Sequence, residues 1–174
     1  MRVLFLSGWY PYPADNGARI RVLNLLRQLA ADHQVTLLTF ARRPPSNEQL
    51  AAMSRLCVDV RVAPHVAFHP TRLRAVLALL STRPRSFTDT YSRPMADLVR
   101  AAHAERRYDL VIASGVQMAP YALLVEGTPR LLEEMELATI RELGTGGGWG
   151  RRARYGLTWL KTARFVRHML ERFD

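Results

Sequence analysis

The chain opens on a nearly continuous apolar run, Arg2 to Ser7 (RVLFLS). Apolar positions without polar alternation are what a strand covered on both faces requires, so residues 2–7 are predicted as the first strand. After a loop, residues 17–31 place Val22, Leu25, Leu26 and Leu29 at i, i+3, i+4 and i+7, with Arg21, Asn24 and Gln28 on the other side. That spacing predicts an amphipathic helix. Gln34 to Phe40 (QVTLLTF) follows a polar break and is rich in β-formers, which predicts a second buried strand closed by Pro44 and Pro45.

The alternation continues more weakly. It predicts a helix over 46–56, a strand over 58–62 and a helix over 70–80, with Pro64 and Pro70 as punctuation. Residues 83–94 (RPRSFTDTYSRP) lack periodicity and read as an exposed loop before a helix over 94–106. A central strand over 108–113 (YDLVIA), a short helix over 119–125, a fifth strand over 129–132 and a helical turn over 137–143 follow. Residues 144–150 (GTGGGWG) hold five of the ten glycines and read as a flexible connection into a long helix over 151–174. Strands alternating with helices predict an α/β architecture, an open parallel Rossmann-like sheet with helices on both faces. In such sheets ligands bind outside the carboxyl ends of the strands. The positions to inspect are therefore those after residues 7, 113 and 132.

Length changes little in this picture: 174 residues suit one domain. An apolar content of 48% and a charged content of 23% exclude a disordered chain and a disulfide scaffold. The one cysteine, Cys57, can form neither an internal disulfide nor a Cys–Cys zinc site, and a reduced, cytoplasmic setting is expected. No apolar run approaches the roughly 20 residues of a spanning helix. The net charge of +10 comes almost wholly from arginine, since Lys161 is the only lysine among 25 basic residues. Half of that excess lies in residues 151–174, which carry a net of +5.

Candidate chemistry lies where the fold puts it. Asn16-Gly17 stands where a helix begins after a strand and loop, and such an end presents unpaired N–H groups that suit a phosphate. The same residues also suit a plain N-cap with a glycine that relieves crowding. Neither GxGxxG nor another dinucleotide fingerprint is present. Glu133, Glu134 and Glu136 follow the fifth strand and could bind sugar hydroxyls or form a solvated acidic turn; no metal site is expected there. His65 and His69 flank a proline-bounded loop, as loop residues or as substrate contacts, and Cys57 reads as a small buried residue. On the last helix Tyr155, Trp159, Ala163, Val166, Leu170 and Phe173 share one face. Arg154, Lys161, Arg164, His168 and Arg172 share the opposite one, with Phe165 among them. A basic face carrying an aromatic suits an anionic membrane surface, and it equally suits a solvated face.

The opening MRVLFLSGWYPYPADNGARIRVLNLLRQLAADHQVTLLTF resembles that of the family-four retaining glycosyltransferases of the GT-B fold, and YDLVIASGVQMAPYA and PRLLEEMELATIRE resemble later segments of the same N-terminal domain. The likeness spans essentially the whole chain, strongest to Phe40, with a generic stretch over 41–107. It implies one half of a GT-B enzyme: an acceptor-binding domain cut before its donor domain, which in the family carries the nucleotide-sugar site. The resemblance implies that Asn16, Gly17 and Arg19 face the donor diphosphate and that Tyr10, Glu133 and Glu134 contact substrate. Many relatives carry a histidine near the end of the fourth strand. Here Ser114 stands about there, with Gln117 three residues on, so these are the candidates for a catalytic or positioning role. The expected partners are a nucleotide sugar, a glycan or lipid-linked acceptor, the missing C-terminal domain and an anionic membrane at the cytoplasmic face. No cofactor or metal is expected. The whole protein would then transfer hexose in cell-surface polysaccharide or glycolipid synthesis, while this fragment alone would be inactive.

Two other classes compete. A non-catalytic membrane-surface or scaffold domain would use the basic last helix alone. A nucleic-acid-binding module would account for the charge, but the chain has no RNP-like aromatic strand, zinc spacing or helix-turn-helix.

Overall fold

The computed structural model of the chain describes residues 1–78, 80–133 and 149–174. They sort into two compact units: residues 1–65, 92–133 and 173–174 form the first, and residues 66–91 and 149–172 the second. Each is taken by itself.

The first unit is an α/β layer built on five parallel strands, β1 (Arg2–Ser7), β2 (Gln34–Ala41), β3 (Asp59–Pro64), β4 (Leu110–Ser114) and β5 (Arg130–Glu133), in the order β3-β2-β1-β4-β5. Helices α1 (Gly17–Asp32) and α2 (Asn47–Ser54) connect the strands on one side of β1. They share a core with alternate strand residues: Val22, Leu23 and Leu26 of α1 and Met53 of α2 meet Val3, Phe5, Val35, Leu37 and Ile112. The intervening residues Leu4, Leu6, Leu38, Val111 and Ala113 are also buried, toward the opposite face. On that side α5 (Arg93–Glu105) packs on β2 and β3, burying Met95, Ala96, Val99 and Ala102, and α6 (Ala119–Ala122) packs on β4. The apolar runs are continuous because both faces are covered. Chain direction across the sheet reverses between β1 and β4, so their carboxyl ends part into a crevice.

Helix caps follow the local chemistry. Asn16 accepts from the Arg19 N–H, and Ser46 with Gln49 forms a reciprocal capping box at α2. At the amino edge of the sheet, Asp109 accepts from the Arg2 N–H at 2.6 Å and tethers β1 to β4 before pairing begins. β4 therefore starts at Leu110, two residues after the predicted position, with Asp109 already bonded to Arg2 through its N–H as well. β3 likewise starts one residue after the predicted position, with the Val58 N–H bonded to Val35 O just ahead of it.

The second unit departs more from expectation. The predicted helix over 70–80 is only α3 (Leu73–Leu77). Within the predicted loop over 83–94 lies a helix, α4 (Arg85–Thr90). No side chain caps its start at Pro84, and its stabilisation comes from outside its own turn: Arg85 Nε donates to Ala75 O at 2.7 Å and Asp89 accepts from the His69 N–H at 2.8 Å. The long helix, α7, spans Trp149–Leu170, so it begins within the predicted glycine connection. Among its described side chains Thr162, Val166 and Met169 are buried, and the Phe165 ring lies 5.0 Å from that of Phe87. Phe165 therefore packs on α4 and does not stand on a free basic face; the apolar side of α7 is rotated from the predicted one. Arg164 and Arg172 are exposed and Lys161 is half-buried. The Arg154 side chain, Glu134, Glu136, the predicted turn over 137–143 and most of the glycine connection lie outside the described residues. Among the described residues no helix is long and apolar enough to cross a membrane.

Candidate functional site

The carboxyl ends of β1 and β4 are neighbours, with Ser7 opposite Ser114. Ser7 Oγ donates to Trp9 O at 2.7 Å and accepts from the Trp9 N–H at 3.2 Å, which ties the chain into a tight turn around Gly8. A Cβ at Gly8 would meet Gln117 Nε2, the far end of a flexible side chain that would have to turn aside, so the Gln117 amide lies directly over this glycine. Gly115, the first residue after β4, has φ +90°, a conformation that L side chains rarely adopt. Sequence reasoning passed over both glycines; their positions immediately after strands were the available signal.

Ser114 and Glu133, separately proposed from the sequence, are brought together. Ser114 Oγ donates to Glu133 Oε2 at 2.7 Å, and Gly115 N–H donates to Glu133 O at 2.8 Å. Arg21, reaching over from α1, places Nε 2.6 Å from Glu133 Oε1, although the N–H is not aimed along the contact. The pair is electrostatic, and Arg21 is 55% exposed against 12% for Glu133. Arg21 was placed on the solvent side of its helix by the periodicity, which is correct for α1 alone. Its partner comes from β5, more than a hundred residues on, and no local pattern encodes it.

At the N-terminus of α1, Asn16 Oδ1 takes the Arg19 N–H at 3.0 Å and Asn16 O takes that of Ile20 at 2.9 Å. The N–H groups of Gly17 and Ala18 have no intrahelical acceptor. Nothing lies within 4 Å of where a Gly17 Cβ would stand, so this glycine relieves no crowding and leaves the helix end open. Arg19 is not a free cation: Nη1 donates to both carboxylate oxygens of Asp15 at 2.8 Å. Any anion at this helix end competes with Asp15 for the guanidinium.

Tyr10 is displaced from the role expected of it. Its ring is buried in the core with Val22 and Met53, and its hydroxyl donates to Gln49 O at 3.0 Å, so it anchors α2 and offers no face to a substrate. Burial, with a smaller contribution from Cys57, raises its pKa. The exposed aromatic of the loop is its neighbour Trp9. Its ring stacks on His65 at 6.0 Å and 21°, and His65 in turn meets Phe40 edge-on at 6.2 Å. The three stand at the carboxyl ends of β1, β3 and β2. Burial, then the charge of Arg42, lowers the His65 pKa, which favours the neutral ring. His69 belongs to the second unit, where its N–H donates to Asp89 and its carbonyl accepts from the Arg72 N–H. Cys57 is buried, and desolvation pushes its thiol up to about 12.

The carboxyl edge thus combines an open helix N-terminus, two glycine turns, a hydroxyl–carboxylate pair and an aromatic platform. Such a set can hold an anion beside a polyhydroxylated or ring-shaped ligand. Among the described residues no group of three or more His, Cys, Asp or Glu side chains could hold a metal ion. An open depression of about 710 Å³ lies at the opposite edge, between the C-terminal end of α1 and Met1, Arg2 and Asp109. It has no glycine turn and no helix N-terminus, and Asp109 is already engaged with the backbone of Arg2.

No protein-family model matches the chain. No curated protein matches it either. Solved structures similar to it include a UDP-glucosyltransferase from Polygonum tinctorium capable of glucosylating indoxyl, in complex with 3,4-dichloroaniline, at 14% identity and a TM-score of 0.44, over 82% of this chain and 32% of that one. Phytolacca americana UGT2 is similar in its apo form (12% identity, TM-score 0.42, 83% of this chain and 32% of that one). So is the same enzyme with UDP-2-fluoro-glucose and pterostilbene (10% identity, TM-score 0.43, 83% and 33%). The chain spans about a third of the length of these solved chains.

Proposed function

We propose that this chain is the acceptor-side half of a nucleotide-sugar-dependent glycosyltransferase. The observation that carries the reading is the composition of the β1–β4 crevice: a helix end with two N–H groups open to an anion, beside a Ser114–Glu133 pair suited to sugar hydroxyls. In this reading the Gly17 and Ala18 amides take a diphosphate oxygen, and Asn16 keeps the helix end shaped for it. Glu133, steadied by Ser114 and Arg21, accepts hydrogen bonds from a sugar or acceptor hydroxyl. Trp9, backed by His65, provides an apolar face for a ring. Gln117 brings its side-chain amide beside Gly8 and Gly115, between the two turns. The resemblance of the opening segment to family-four enzymes supports a retaining transfer completed by a donor domain, toward a glycan or lipid-linked acceptor.

Ligand-detected NMR on the chain tests this, using UDP-glucose, GDP-mannose and inorganic pyrophosphate as probes. The expected result is weak binding of at least one probe, lost in Gly17→Val, whose side chain would stand over the open amides. Binding of every probe undiminished by Gly17→Val, or of none, would overturn the proposal. Sugar transfer by residues 1–174 alone would refute its claim that this is half of a catalytic unit.

A further inference from the structure

We infer that the exposed face of α3 docks on an anionic lipid bilayer. The burial along this helix is inverted relative to side-chain size. Ala75 and Ala78 are buried, at 0% and 2% exposure, whereas Leu73, Val76, Leu77 and Leu80 are exposed by 72%, 44%, 58% and 93%. Leu73, Val76 and Leu77 fall at i, i+3 and i+4 of α3 and form one apolar stripe; Phe68, 42% exposed, precedes it, and Leu80 follows beyond the end of the helix. A contiguous exposed apolar patch of this kind marks an interaction surface.

The exposure is built in. The Arg85 guanidinium of α4 grips the backbone ahead of the stripe, at Pro70 O, and within it, at Ala75 O. Asp89, buried on the same helix, holds the His69 N–H at 2.8 Å, and Arg72 Nη1 donates to Ala67 O at 3.0 Å. Asp89 Oδ2 stands 3.7 Å from the same Arg72 nitrogen. The segment carrying the stripe is therefore pinned from behind while its large side chains point out.

Charge selects the occupant. Residues 66–88 contain four arginines and no acidic residue. Arg74 and Arg83 are exposed, with no ion pair among the described residues, and they flank the apolar positions in sequence. An apolar stripe flanked by exposed arginines, with the nearby Asp89 buried, suits the boundary between acyl chains and anionic headgroups. A second copy would bring the same arginines against each other, which like-charge repulsion opposes. The membrane contact is thus carried by α3, and not by α7, whose Phe165 is occupied by Phe87.

Co-sedimentation of the chain with phosphatidylcholine vesicles, with and without phosphatidylglycerol, tests the inference. Binding is expected only with phosphatidylglycerol present. Leu77→Ser with Leu80→Ser should weaken it by about tenfold or more, from the apolar area withdrawn. Arg74→Gln and Arg83→Gln should each weaken it about fivefold, and added salt should do the same. Arg164→Gln with Arg172→Gln on α7 should leave it unchanged. Thermal unfolding of each variant confirms that the fold survives, as exposed positions permit. The inference is overturned by absence of binding to phosphatidylglycerol vesicles, by equal binding of the double serine variant, or by loss of binding in the α7 variant. It is equally overturned if sedimentation velocity finds a dimer that Leu77→Ser with Leu80→Ser dissolves.

Discussion

Glu133 makes two contacts of very different worth, and a pair of double-mutant cycles should separate them. The Ser114 hydroxyl that meets Oε2 at 2.7 Å is 4% exposed, so its bond is short, charge-assisted and shielded from water. Such bonds contribute about 1.5–3 kcal/mol. Arg21, 55% exposed, loses most of its attraction for Oε1 to solvent and side-chain entropy, which leaves about 0.2–1 kcal/mol. Urea unfolding of wild type, Ser114→Ala, Glu133→Ala and the double variant should therefore give a coupling of about 1.5 kcal/mol. The cycle with Arg21→Ala should give about 0.5 kcal/mol or less, shrinking as salt is added. Equal slopes across the series are the control, since a changed slope signals an altered unfolded state. A Ser114–Glu133 coupling under about 0.5 kcal/mol, or a larger value for the Arg21 cycle, would refute the reasoning that burial ranks these contacts.

Three further outcomes follow from single positions. Cys57 should resist thiol reagents in the folded chain and react on unfolding. With its thiol raised from the ordinary 9.0 to about 12, the stabilising contribution is complete below the unfolded value and is lost as pH rises toward the folded one, which denaturant titrations on the alkaline side would register. Gly115→Ala, forced to keep φ +90°, should cost about 1–2 kcal/mol, whereas Gly17→Ala, in open helical backbone, should raise stability by up to about 1 kcal/mol; urea midpoints of the two variants compare them directly. Tyr10→Phe should lose about 0.5–1.5 kcal/mol by removing the bond to Gln49 O, and should leave ligand binding intact because the ring is core.

The central strands were legible because they are rich in apolar and β-branched residues and flanked by glycine, proline or polar breaks: RVLFLS and QVTLLTF match β1 and β2 almost residue for residue, whereas β3 (DVRVAP) alternates and was placed one residue off. What escaped was structure made by distant partners. α4 has six residues, too few to establish a period, and its ends are secured by bonds to Pro70, His69 and Ala75. The face of α7 was misjudged for the same reason, since Phe165 is claimed by Phe87 and not by its own helix. At the site, Asn16, Gly17 and Ser114 were readable from their position after strands. The Ser114–Glu133–Arg21 set depends on β5 lying beside β4 and on α1 reaching across, which only the sheet order supplies.

A local pair, by contrast, decides how the helix end should handle an anion. Arg19 was expected beside a diphosphate, and it does stand one turn into α1, but both Asp15 oxygens already occupy its Nη1 at 2.8 Å. With side-chain exposures of 30% and 57%, the pair is surface-like, so Asp15→Asn should change stability by no more than about 1 kcal/mol. Its effect on binding should be larger in kind, because it removes a negative charge from the mouth of the site and releases a positive one. Titration of pyrophosphate against the Asp15→Asn variant should show tighter binding than wild type at low salt, with the advantage fading as the Debye length shortens. Weaker binding in the variant would mean the opposite arrangement, in which Asp15 aims Arg19 at the anion, and the amides of Gly17 and Ala18 would no longer suffice as the reason an anion binds there.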